Sequence, residues 1–99
     1  MRQVRDVPEQ SQYVISVDGE PAGFAAYVDA DQLRVFSHTE VDPRFEGQGV
    51  GAALVRGALD DVRARKLRVL PVCPFVRGYL ARHREYADLV YDVRSRVTD

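Results

Sequence analysis

The sequence predicts an α/β (α+β) fold, an antiparallel meander followed by a βαβ crossover. Three observations carry this. Residues 13–41 fall into strand-length runs of alternating apolar and polar side chains, split by turn signals. A glycine-rich stretch, Glu46-Gly47-Gln48-Gly49-Val50-Gly51, follows the last run. An apolar stripe at helical spacing comes next, and a short apolar run closes the pattern.

Met1 to Gln10 is polar and charged, and reads as a loose lead-in rather than a secretory signal. Tyr13 to Val17 alternates as a strand, with Tyr13, Ile15 and Val17 on one face. Asp18-Gly19 is a hairpin signal, because both positions accept positive φ. Ala22 to Val28 is the returning strand, and Asp29-Ala30-Asp31 reads as a second turn. Gln32 to Val41 is a third strand. Strict alternation puts Leu33, Val35, Ser37, Thr39 and Val41 on one face, with Arg34, Phe36, His38 and Glu40 on the other.

Pro43 and the glycines end the strand pattern. A helix over Val50 to Lys66 follows, with Leu54, Val55, Ala58, Leu59 and Val62 as its apolar stripe. Gly57 lies mid-helix, where it costs about 1 kcal/mol relative to alanine, so close packing on the sheet is expected there. Leu67 to Val72 reads as a buried strand parallel to the third, completing the crossover. Pro71 cannot donate to a ladder, so one side of that strand is expected to be unpaired. Pro74 suits the first position of a helix, with Phe75, Tyr79 and Leu80 at helical spacing. Tyr86 to Val93 reads as a short strand or a packed tail.

At 99 residues the chain is expected to be one domain. The net charge of -1 favours neither nucleic acid nor an anionic membrane. Lys66 is the lone lysine among the cations; arginine supplies the rest. No apolar stretch approaches the roughly 20 residues of a membrane span. The single cysteine, Cys73, fits a reducing cytosol and excludes a structural zinc site, so no metal is expected.

The glycine stretch carries the chemistry. Glycines at alternate positions strip side chains from a strand-to-helix turn and leave backbone N–H groups at the positive end of a helix dipole. That is an anion site, most often for phosphate. The bland alternative is a tight connection that needs three small residues. The stretch lacks the Gly-Lys-Ser/Thr of a nucleotide P-loop. It also follows a meander, which weakens a dinucleotide-binding reading. Cys73, placed just before Pro74, would cap a helix whose N-terminus stabilises a thiolate. Alternatively it is a small buried residue at a strand end.

These residues resemble the GNAT superfamily of acetyl-CoA-dependent N-acyltransferases. The pyrophosphate motif there is Arg/Gln-x-x-Gly-x-Gly/Ala, and Glu46 to Gly51 supplies it with Glu46 as the departure. Ser37-His38-Thr39-Glu40-Val41, Val72-Cys73-Pro74-Phe75-Val76 and residues 82–90 look like a minimal, single-domain branch of that superfamily. The resemblance covers roughly Tyr13 to Val90. It implies acetyl-CoA as cofactor, an amine acceptor, and strands that splay to admit the pantetheine arm beside Thr39 and Val41. It implies diphosphate binding by Glu46, Gly47, Gln48, Gly49, Val50, Gly51 and Ala52. Cys73 lines the site, and Arg77 and Arg82 meet the phosphates. His38 or Glu40 would take the ammonium proton, and Tyr79 would protonate the departing thiolate. Cys73 is also the candidate for an acetyl-cysteine route. Asp18-Gly19 joins two strands that larger members separate with helices, so the acceptor side is expected to be open or completed by a partner or oligomer. A non-catalytic acyl-CoA-binding or interaction module is the alternative.

Overall fold

The structure, a computed structural model, describes residues 1–91. Five strands form one sheet in the order β1 (Arg2–Val7), β2 (Gln12–Val17), β3 (Glu20–Ala30), β4 (Leu33–Val41) and β5 (Arg68–Pro71). The first three pairings are antiparallel and β4–β5 is parallel. Helix α1 (Val50–Ala64) makes the crossover, and α2 (Pro74–Arg82) follows β5. Both helices pack on one sheet face. The meander, the crossover and the mixed sheet are therefore as the sequence predicts.

The Asp18-Gly19 hairpin holds, with φ of 50° and 85° at its two turn residues. Positive φ at both matches the right-handed twist of the flanking strands. The second turn falls later than expected. β3 runs through Ala30, and the reversal is made at Asp31, with φ 57°. Asp29 stays in the ladder opposite Arg34 and binds its guanidinium. The α1 stripe is buried at Leu54, Val55, Ala58, Leu59 and Val62. Burial of each leucine contributes about 1.5–3 kcal/mol. The helix stops at Ala64, before the expected Lys66, which takes φ 59° and turns the chain toward β5.

Three expectations need correction. Residues 2–7 are not a loose lead-in; they form β1, paired with β2 along its whole length. A 3-10 turn at Pro8–Gln10 joins the two. β1 was illegible because charged residues outnumber apolar ones along it: Val4 is half-buried and Val7 buried, while Asp6 accepts from Tyr27 and faces Arg34 and Arg65. Gly57 explains how β1 docks: a β-carbon there would lie 2.8 Å from Val4 Cβ. Second, the faces of β4 are not constant. Its register against β3 jumps, with Phe36 opposite Tyr27 but His38 opposite Ala26. Ser37 is the extra residue of a bulge. Arg34 and Phe36 face the helices before it, and Thr39 and Val41 face them after it. Third, Phe75 is not on the buried face of α2. Tyr79 and Leu80 are buried as expected, and Val76 joins them in place of Phe75.

The β4–β5 pairing ends at Phe36 and Pro71. The amides of Val72 and Cys73 both donate to Phe36 O, at 3.0 and 2.9 Å, and the two strands then part. β4 continues to Val41 while the other chain turns into α2. The edge of β4 from Ser37 onward thus has no ladder partner on that side among the described residues. Tyr86 to Leu89 lie in a 3-10 helix and Val90 bridges to Val69. The rest of the expected final segment, from residue 92, lies outside the described residues.

At the opposite end of the sheet Arg34 is buried. Its guanidinium forks onto Asp29 at 2.7 and 2.8 Å and donates to the Tyr13 hydroxyl at 2.8 Å. Tyr13 donates to Asp61 and Tyr27 to Asp6, each at 2.6 Å. Desolvation, reinforced by the Asp6 carboxylate, pushes the Tyr27 phenol up to about 12. Asp6 Oδ2 lacks a hydrogen bond but lies 3.5 Å from Arg34 and 3.4 Å from Arg65. A buried guanidinium costs several kcal/mol unless paired this way.

Candidate active site

A short 3-10 turn, Pro43–Phe45, leads from β4 into the glycine stretch, capped by Asp42 accepting from the Arg44 amide at 2.9 Å. Glu46 is extended, and Gly47 and Gly49 then take φ of 80° and 74°. A β-carbon at Gly47 would meet nothing within 4 Å, so backbone conformation, not space, demands glycine there. Gly51 has a different reason. A β-carbon on it would lie 2.8 Å from Phe75 Cζ and 3.3 Å from Val41 Cγ2. Its absence lets the aromatic ring lie against the start of α1.

Gly49 is the N-cap of α1 and brings no side chain to the helix start. The amides of Val50, Gly51 and Ala52 have no partner within the helix. Ala53 is the first to find one, donating to Gly49 O at 3.1 Å. Among the described residues, the amides of residues 47–52 donate no well-formed hydrogen bond to another backbone carbonyl. A cavity of about 500 Å³ opens at this turn, lined by Thr39, Val41, Glu46, Gly49, Phe75 and Arg82 among others. Its electrostatics combine a helix N-terminus and the Arg82 cation with the Glu46 carboxylate.

A second groove, of about 660 Å³, lies on the sheet face away from the helices. Arg5, Glu9, Val14, Phe24, Glu40 and Asp42 are on its wall. Val41 lines both spaces, so the two meet at the free end of β4.

The bulge at Ser37 sorts the residues singled out in the sequence. Thr39 and Val41 face the cavity. His38 and Glu40 face the other way and bind each other, with Nε2 and Oε2 2.8 Å apart. Cys73 is the N-cap of α2, with Pro74 as first helical residue, as expected. It is buried behind Thr39, its thiol donating to Thr39 Oγ1 at 3.4 Å. Burial pushes the thiol up, but the Thr39 hydroxyl and the amides of Val76 and Phe75 outweigh it. The net displacement is below the ordinary cysteine value. Tyr79 is buried too, and desolvation raises its phenol, which stays protonated at neutral pH. Its ring stacks on His83 at 3.8 Å, and its carbonyl lies 2.9 Å from His83 Nδ1. Neither Cys73 nor Tyr79 is on the cavity wall. Arg82 is; Arg77 points elsewhere and donates to Val72 O at 3.0 Å.

Sequence reasoning missed two participants. Arg2, on the strand taken for a loose end, donates to the carbonyls of Gln48 and Gly49. Phe75, taken for core, is 42% exposed on the cavity wall. No local pattern marks Arg2, because its role depends on β1 reaching the turn.

A family model described as GCN5-related N-acetyl-transferase matches residues 12–89. The chain belongs to the GCN5-related N-acetyltransferase family. Its enzyme class is that of the N-acetyltransferases, and its general chemistry is acyl transfer. Among solved structures it is similar to a GCN5-like protein from Staphylococcus aureus. The TM-score is 0.69 at 20% identity, over 92% of this chain and 89% of that one. It is also similar to Ard1 from Thermoplasma volcanium, at TM-score 0.60 and 24% identity, over 76% of this chain and 55% of that one. A third is N-acetylglutamate synthase from Neisseria gonorrhoeae, complexed with coenzyme A and N-acetyl-glutamate. There the TM-score is 0.58 at 15% identity, over 79% of this chain but 22% of that one. These likenesses carry the fold. No curated protein matches the chain. Among the described residues no helix is long and apolar enough to cross a membrane, and no cluster of side chains could hold a metal.

Proposed function

We propose that this chain transfers the acetyl group of acetyl-CoA to an amine. The observation that carries the reading is the set of unbonded amides at the start of α1, opening on a cavity beside the free edge of β4. In this reading the amides of Gln48, Val50, Gly51 and Ala52 hold the diphosphate. Arg82 supplies a counter-charge from across the cavity. Glu46 contributes backbone only, and its carboxylate is the one unfavourable group at the turn. The edge of β4 at Thr39 and Val41 offers the backbone groups that a pantetheine arm can use as an added strand. Acetyl-CoA, when bound, supplies an activated thioester.

The acceptor enters from the open-face groove, which reaches the same end of β4 at Val41. Glu40, hydrogen-bonded to His38, is the base that takes the ammonium proton. Tyr79 keeps its phenolic proton at neutral pH and is the candidate donor to the sulfur, although like Cys73 it lies off the cavity wall. Direct attack by the amine is the mechanism we favour. The rival route through Cys73 needs a thiolate that reaches the cavity, and Cys73 lies behind Thr39. No helix covers the open sheet face among the described residues, so a partner or second copy seated there would complete the acceptor side. The single cysteine fits a reducing compartment such as the cytosol.

One observation favours a second reading, an acyl-CoA-binding module without turnover: the two buried candidates, Cys73 and Tyr79, are off the cavity wall. A thiol-release assay over an amine panel separates the two. CoA release that depends on a particular amine supports the transferase. Tight acetyl-CoA binding with no release on any amine supports the module.

A further inference from the structure

The unbonded amides at the start of α1 can serve an anion only if they point at it, and a flexible glycine turn does not fix their direction by itself. Gly47 and Gly49 each have wide backbone freedom. α1 sets the Gly49–Val50 peptide plane, because Gly49 O accepts from Ala53, but the Gln48–Gly49 plane needs a partner outside the helix.

Arg2 is the side chain in position to do so. It reaches from β1, which is tied to β2 and pinned under α1 by the Val4–Gly57 contact. One terminal nitrogen donates to Gln48 O, and the other lies 3.5 Å from Gly49 O. In a trans peptide the C=O and the following N–H point in opposite directions. All peptides here are trans. A guanidinium that holds the Gln48 carbonyl therefore turns the Gly49 N–H away from itself, whereas the Gly49 carbonyl already accepts from Ala53 and takes its direction from α1. Gly49 lines the cavity. The same contact polarises the Gln48–Gly49 peptide and strengthens its amide as a donor. It also places a cation behind a turn whose motif carries Glu46 in front.

We propose that Arg2 is a positioning residue for the acyl-donor site, orienting the Gly49 amide from the rear of the turn. The consequence for the ligand rests on the acetyl-CoA reading above; the orientation itself does not.

Two measurements on the full chain test this separately. In the ligand-free protein, residual dipolar couplings report N–H directions. Arg2→Ala should change them at Gly49 and leave α1 unchanged, whereas Gln3→Ala, on the other face of β1, should change neither. Unchanged couplings at Gly49 in Arg2→Ala overturn the proposal, whatever the ligand. The second measurement compares affinity for acetyl-CoA with that for S-acetylpantetheine, which lacks the diphosphate. Arg2→Ala should weaken acetyl-CoA about tenfold, the loss of one charge-assisted hydrogen bond, and leave S-acetylpantetheine unchanged. Arg2→Lys should fall between, because an ammonium keeps the charge without the rigid planar geometry of the guanidinium. Equal weakening of both thioesters would mean general damage and overturn the proposal. If wild-type protein binds neither thioester while the couplings still shift, the acetyl-CoA reading fails and the orienting role of Arg2 stands.

Discussion

The side chain of Val4 fills the space directly over Gly57: a β-carbon on Gly57 would come within 2.8–2.9 Å of three Val4 atoms. One of them is Val4 Cβ, which no rotamer change can move. In an isolated helix Gly57→Ala would gain about 1 kcal/mol. Here overpacking, at about 1–3 kcal/mol, opposes that gain. Gly57→Ala should therefore lower the denaturation midpoint and loosen β1. Urea unfolding, with hydrogen exchange of the β1 amides, checks it. A more stable variant would mean that β1 does not pack as described.

Cys73 is buried and donates to Thr39. Direct attack by the amine predicts that Cys73→Ala keeps turnover, with a modest loss of stability of about 1 kcal/mol. Steady-state assays and intact mass spectrometry after mixing with acetyl-CoA provide the check. An acetyl adduct on wild-type Cys73, together with an inactive Cys73→Ala, would establish the covalent route instead.

Glu40 and His38 form a hydrogen-bonded pair on the acceptor side of β4. Glu40→Gln keeps the size and removes the base, so kcat should fall about 10²-fold while the affinity for acetyl-CoA is unchanged. His38→Gln should give a smaller decrease. Separate titrations of the two substrates distinguish these effects. Unaltered kcat in Glu40→Gln would exclude it as the base.

The Arg34 fork holds the Asp29 carboxyl below the usual carboxylate range, against an opposing push from desolvation. The folded value is thus depressed below the unfolded value of about 3.9. The contribution of Asp29 is present above that value and is lost as pH falls through the folded one. Asp29→Asn should destabilise by about 1 kcal/mol at neutral pH, because the buried guanidinium loses one half-exposed charged partner. The difference from wild type should shrink toward pH 3. Thermal unfolding at pH 7 and pH 3 checks the sign; a constant difference would contradict it.

Much of the fold around the candidate site was legible in the sequence for physical reasons that act locally. Asp18-Gly19 needs positive φ, the α1 stripe repeats at helical spacing, and Pro74 marks a helix start with Cys73 before it. Those signals survive folding unchanged. What was illegible depends on distant partners. β1 carries Arg2, Arg5 and Asp6, and reads as a polar tail until Tyr27 and Arg34 supply the partners for Asp6. The Ser37 bulge is one inserted residue, and it exchanges the faces of everything after it, so that Thr39 reaches Cys73 while His38 does not. Phe75 fits the apolar spacing of α2, yet it lies on the cavity wall because Gly51 leaves room for it.

The account rests on backbone amides at the start of α1 receiving a diphosphate. An amide-resolved NMR titration with coenzyme A tests this most directly. The account predicts saturable shifts concentrated at Gln48, Gly49, Val50, Gly51 and Ala52, much reduced when pantetheine replaces coenzyme A. No binding, or shifts confined to other parts of the chain, would contradict it.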